Sequence, residues 1–129
     1  MLGEGAQKDG QKIMGMTFEL EGREFIAFNG GGPFDNNPEW KFTGAISFFI
    51  NCETQEEVDH YWEKLSEGGH KDQCGWLQDK FGVYWQVVPT ALGRLLGDKD
   101  RAKAKQAMDA MLKMTKLDIA GLQRAFDGA

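Results

Sequence analysis

The chain has 129 residues, of which 41% are apolar and 27% charged, and its formal net charge is −5. That length and balance suit one globular domain with a modest core and exclude a disordered segment. The acidic excess argues against nucleic acid or an anionic membrane as a general partner.

No run approaches the ~18 apolar residues of a membrane span, and Met1-Leu2-Gly3-Glu4-Gly5 has neither the basic region nor the apolar core of a signal peptide. A cytoplasmic location is the expectation. Cys52 and Cys74 are then expected as reduced thiols.

Residues 1–12 are polar and Gly-rich and read as loop. Met14, Met16, Phe18 and Leu20 then alternate with Gly15, Thr17 and Glu19, the period-2 pattern of a half-buried strand. Glu21-Gly22 supplies a tight turn, and Phe25-Ile26-Ala27-Phe28 returns as a second strand, expected to lie deeper. Gly30-Gly31-Gly32-Pro33 breaks it, and the loop runs on through Asp35-Asn36-Asn37-Pro38. The triple glycine is not a phosphate loop, because neither a helix start nor Lys-Ser/Thr follows it.

Ala45 to Asn51 is apolar on both faces and predicts a central strand. Thr54 with Glu57 forms a capping box, and Val58, Tyr61, Trp62 and Leu65 make a helical stripe closed by Gly68-Gly69. Cys74 to Leu77 and Val83 to Val88 read as a hairpin joined by Asp79 to Gly82 and ended by Pro89. Leu92, Leu95 and Leu96 form a short helical turn. Asp98 or Asp100 caps a helix with the stripe Ala104, Ala107, Met108, Met111 and Leu112, and Asp118 caps a last one carrying Ile119, Leu122 and Phe126. Residues 41–88 thus make a strand–helix–strand–strand unit, and the first hairpin looks like the end of a similar one.

The runs GAISFFINCETQEEVDHYWEKLSEGG, CGWLQDKFGVYWQVVP and KMTKLDIAGLQRAFDG, with FELEGREFIAFNGG earlier, resemble the PhnB-like branch of the vicinal-oxygen-chelate superfamily. That branch carries the label 3-demethylubiquinone-9 3-methyltransferase and belongs with the glyoxalase and bleomycin-resistance proteins. The resemblance implies an α+β fold of paired βαβββ modules curling into an open cup around a small-molecule pocket, within a homodimer. On this chain it implies one domain: a partial first module over 1–32, a crossing loop over 33–40, a second module over 41–88 and a helical tail over 89–129. Family members begin with a further strand and helix, so the first module is expected to be incomplete. About four uncovered apolar side chains would then forgo ~1.5–3 kcal/mol each. A partner chain covering the sheet, a start further upstream and a rearranged fold all remain open.

Metal-dependent members of the superfamily hold a divalent ion with His and Glu on facing strands. The resemblance carries those ligand positions onto Asn29, Ala45 and Gln86, with a fourth before Met1. A methyl group cannot ligate, and neutral amides are poor ligands for such ions. His60 falls on the polar face of the 54–66 helix and His70 in a loop. No metal is expected, and no cofactor. A methyl-donor site would need a Gly-rich strand-to-helix turn, and both glycine clusters lead elsewhere. Cys52 lies two residues before a helix N-cap, where a thiol can be activated, but no His is placed to assist it.

Strand parity puts Ala45, Ser47 and Phe49 on one face with Tyr84, Gln86 and Val88, and sets Ile46, Phe48 and Ile50 with Val83, Trp85 and Val87 against the helix. The first face gives an aromatic-lined hollow with Asn29, Ser47, Phe49, Tyr84 and Gln86 as pocket residues; the competing reading is a filled cup whose polar groups satisfy one another. The expected function is metal-free binding of a small, partly apolar molecule by a homodimer, with no nucleic-acid or membrane role. The alternatives are an enzyme acting on a quinone- or phenol-like substrate, and a degenerate relative that keeps only an interaction role.

Overall fold

The structure, a computed structural model, describes residues 15–28 and 41–129. The chain divides into two compact units, Met1–Lys41 and Phe42–Ala129. In the first, β1 (Gly15–Leu20) and β2 (Arg23–Phe28) pair antiparallel, with the rings of the facing residues Phe18 and Phe25 stacked at 5.5 Å. Glu21 (φ 52°) and Gly22 (φ 73°) both take left-handed conformations, so the two-residue turn matches the strand twist. The expectation that β2 lies deeper is not met: Ile26 is 71% exposed. A two-stranded ribbon buries little by itself. The glycine-rich crossing and Asn29 lie outside the described residues.

The second unit contains β3 (Phe48–Cys52), α1 (Gln55–Ser66), β4 (His70–Lys71), β5 (Trp76–Gln78) and β6 (Tyr84–Pro89). Its sheet order is β3-β6-β5-β4, with β3 parallel to β6 and the other neighbours antiparallel. β3 and β4 therefore run the same way at opposite edges, and α1 carries the chain across one face between them. This is the expected βαβββ order, with two corrections. β3 is an edge strand beginning at Phe48, not a central one beginning at Ala45, because β6 inserts on its inner side and no strand follows on its outer side among the described residues. His70 is not in a loop but opens the two-residue β4, paired with Gln78.

α1 starts as its sequence dictates. Thr54 Oγ1 accepts the Glu57 amide at 3.2 Å, and the Glu57 carboxylate accepts the Glu53 amide at 2.6 Å, one residue earlier than in the usual reciprocal box. Val58 and Trp62 are buried with Cys52, Leu77 and Val87, and Ile50, Leu65 and Trp85 pack around them. Tyr61, expected in the same stripe, is exposed at its margin. The predicted parity of the helix-facing side is met by Ile50, Trp85 and Val87; Ile46 stands out in solvent.

The tail folds into α2 (Thr90–Leu96), α3 (Arg101–Met111) and α4 (Ile119–Asp127). Asp100, not Asp98, caps α3, and Asp118 caps α4. Leu92, Leu95, Ala107, Leu117 and Leu122 form a second small core. Of the predicted α3 stripe, Ala104 and Ala107 are buried and Met111 packs partly against this core, whereas Met108 and Leu112 are exposed.

Two devices dock the tail. Gln55 donates through Nε2 to the Leu117 carbonyl (3.1 Å) and accepts the Ile119 amide through Oε1 (2.8 Å). Cys74 (φ 58°) and Gly75 (φ 81°) form a turn whose amides donate to the Met114 and Thr115 carbonyls, both at 2.8 Å.

Candidate ligand-binding face

Residues paired across neighbouring strands share a face. Phe49 pairs with Gln86, and Gln86 with Trp76; Asn51 pairs with Val88, and Tyr84 with Gln78. Phe49, Tyr84 and Gln86 therefore lie on the side of the sheet away from α1, as their parity predicts. Ser47, just before β3, is brought to them by its hydroxyl: Gln86 Nε2 donates to Ser47 Oγ at 2.9 Å. Gly44 lies beneath the Tyr84 ring, where a Cβ would sit 3.7 Å from Tyr84 Cε1.

The face thus presents three aromatic rings (Phe49, Trp76 and Tyr84) beside the hydrogen-bonded Gln86 and Ser47, with Asn51, Gln78 and His70 on the same side further along the strands. Trp76 was not among the residues singled out from the sequence. Its placement depends on the β5–β6 register, which Asp79 sets: Oδ1 accepts the Phe81 and Val83 amides and Oδ2 the Trp85 indole N–H. Phe49 is 53% exposed, while Tyr84 and Gln86 are half-buried, so the rings are open to a ligand along β3 and more enclosed along β6. Two surface depressions, of about 420 Å³ beside Lys64, Lys80 and Phe81 and of about 190 Å³ beside Leu96 and Met108, lie away from this face.

Among the described residues, the two positions that the resemblance assigns to ligands, Ala45 and Gln86, do not fit a divalent ion. Ala45 offers a methyl group ahead of β3, and Gln86 turns its nitrogen, a donor, to Ser47. No group of three or more His, Cys, Asp or Glu side chains converges among the described residues. His60 and His70 are both exposed. The residues also do not fit a methyl-donor cradle. The two strand-to-helix turns that are described, Glu53-Thr54 and Pro89-Thr90, contain no glycine.

Cys52 is buried, and burial followed by the nearby Glu57 carboxylate raises its thiol pKa above the ordinary value. The helix start in front of it therefore does not yield a thiolate nucleophile. Cys52 and Cys74 are both free thiols. Asp59 shifts the other way: the hydrogen bonds from Lys116 and then Gln55 lower its pKa, another tie between α1 and the tail.

No helix among the described residues is long and apolar enough to cross a membrane. No curated protein matches the chain. Among solved structures it is similar to a PhnB protein from Bacillus cereus described as of the 3-demethylubiquinone-9 3-methyltransferase type. That match has 33% identity and a TM-score of 0.48, and covers 60% of this chain and 64% of that one. It is also similar to protein PA1353 from Pseudomonas aeruginosa, at 21% identity and a TM-score of 0.46, over 67% of this chain and 71% of that one. The match thus spans less than two thirds of the Bacillus cereus protein, and the helical tail lies beyond the family match. The family model for 3-demethylubiquinone-9 3-methyltransferase matches residues 2–88, and the chain belongs to that PhnB-like family.

Proposed function

We propose that this chain binds a small, uncharged, partly apolar molecule on the face of Ser47, Phe49, Trp76, Tyr84 and Gln86, without a metal ion. It works as a homodimer in the cytoplasm and belongs to the vicinal-oxygen-chelate superfamily. The observation that carries the reading is the Gln86–Ser47 hydrogen bond of 2.9 Å set among aromatic rings. Rings supply stacking area, and one polar pair fixes orientation, the usual composition of a site for such a ligand. No Lys or Arg is paired into the face, so a phosphorylated or carboxylated ligand would find few partners for its charge there.

A second reading, favoured by the family description, is an enzyme acting on a quinone- or phenol-like substrate. In that reading Tyr84 and Gln86 hold the ring oxygens by hydrogen bonds. A relative that keeps only an interaction role is the third reading.

Titration with a hydroquinone or a methoxyphenol, followed by tryptophan fluorescence, tests the proposal, since Trp76 lies on the face. Gln86→Leu keeps the shape and removes the polar handle. It is expected to weaken binding by about three- to tenfold, the worth of one hydrogen bond. Saturable binding that Gln86→Leu leaves unchanged, or strict dependence on an added divalent metal, would contradict it.

A further inference from the structure

The hydrogen bonds at Gly75 depart from the ladder they adjoin. The β5–β6 register runs Trp76 to Gln86, Leu77 to Trp85 and Gln78 to Tyr84, so Gly75 comes opposite Val87. A hydrogen-bonded antiparallel pair exchanges both main-chain bonds. Here the Val87 amide donates to the Gly75 carbonyl at 2.8 Å, but the Gly75 amide donates to the Thr115 carbonyl, also at 2.8 Å. The Val87 carbonyl, which a continued ladder would use, lies close by: a Cβ on Gly75 would sit 2.7 Å from it.

The segment Met114–Ile119 that captures this amide is held from two directions. The Cys74 amide donates to the Met114 carbonyl at 2.8 Å. From α1, Gln55 brackets Leu117 and Ile119, and Asp59 pairs with Lys116 at 2.8 Å. This arrangement sets Cys74 at φ 58°, which a residue with a Cβ disfavours. It sets Gly75 at φ 81°, which glycine takes freely and can also leave for an extended conformation.

We propose that Met114–Ile119 is a latch with a seated and a released position. Seated, its carbonyls take the Cys74 and Gly75 amides. Released, Gly75 becomes extended and donates to the Val87 carbonyl, the β5–β6 ladder gains its missing bond, and Cys74 leaves its disfavoured φ. Both positions satisfy the Gly75 amide, so the change is a switch between two pairings and not a fraying of the turn. Trp76 follows Gly75 directly and stands beside Gln86 on the ligand face, so the latch sets the position of its ring. A ligand stacked on Trp76 in the seated position holds the latch closed, and seating favours the ligand by the same factor. That last step rests on the ligand reading above; the latch does not.

Amide exchange of the full chain, read residue by residue by NMR, tests both parts. Gln55→Met keeps the length of the side chain and removes both of its bonds to the latch. It is expected to speed exchange of the Cys74 amide about tenfold, as the loss of such bonds allows, and to leave Gly75 and Val87 unchanged. Gln123→Met, on the exposed side of α4, is expected to change none of these amides. In the wild-type chain, hydroquinone at about ten times its dissociation constant is expected to slow the Cys74 and Ile119 amides about tenfold. The Leu112 amide, bonded within α3 to Met108, is expected to be indifferent to it. An unmoved Cys74 amide in Gln55→Met, or Gly75 and Val87 accelerating with it, would overturn the latch. Hydroquinone that binds saturably yet leaves Cys74 exchange unchanged would overturn its link to the face. If hydroquinone does not bind and the Gln55→Met pattern appears, the latch stands and the ligand reading alone fails.

Discussion

Trp62→Ala is expected to lower the unfolding free energy by about 3–5 kcal/mol, the cost of emptying a large aromatic site in a packed core. Trp62 is 2% exposed and stands at the centre of the Cys52, Val58, Leu77 and Val87 cluster that joins α1 to the sheet. A domain of this size holds only ~5–15 kcal/mol in all. The variant should therefore unfold at a much lower urea concentration, or fail to accumulate as folded protein. Phe81→Ala, at a phenyl ring in solvent, serves as the matched comparison and should stay within about 0.5 kcal/mol of wild type. Equal midpoints for the two variants would show that α1 does not hold the sheet in the way described.

Gly75→Ala should be the second large effect, although it adds a single methyl group. Gly75 has φ +81°, a conformation that costs a residue with a Cβ about 1–2 kcal/mol. The added Cβ would also meet the Val87 carbonyl oxygen at 2.7 Å and the Leu117 side chain at 3.1 Å. The backbone oxygen cannot swing aside, because it belongs to β6, which is held between β3 and β5. Relief must come from moving the 74–75 turn, which breaks its hydrogen bonds to Met114 and Thr115. Stability should fall by about 2–4 kcal/mol, strain and overpacking together. Hydrogen exchange should show residues 114–119 losing protection before the sheet does. Gly93→Ala meets nothing within 4 Å and should be neutral or slightly stabilising, as expected inside a helix. A Gly75→Ala variant as stable as wild type would mean that the tail is not seated on this turn.

The helix α1 was the most legible part of the chain, because cap, stripe and stop all agree over one contiguous stretch. Strand parity was legible for the same reason: Ile50, Trp85 and Val87 face the helix and Phe49 and Gln86 face away, a consequence of local alternation alone. Position in the sheet was not. Strand β3 is apolar on both faces, which reads as central, yet β6 takes the inner place and leaves β3 at the edge. An apolar run records that a strand needs covering, but not whether its own chain does so. Leu117 and Gln55 were missed because their partners lie far off in sequence; Gln55 reaches residues 117 and 119. Of the site, Ser47, Phe49, Tyr84 and Gln86 came from parity, and Trp76 required the register fixed by Asp79.

Native mass spectrometry of the gently purified full chain tests the central claim most directly, since it reports assembly and bound species together. The account predicts a dimer carrying a small organic mass and no metal, with the mass reduced in Gln86→Leu. A stoichiometric divalent metal lost in the same variant, or a dimer to which neither a purified ligand nor an added hydroquinone adds mass, would contradict it.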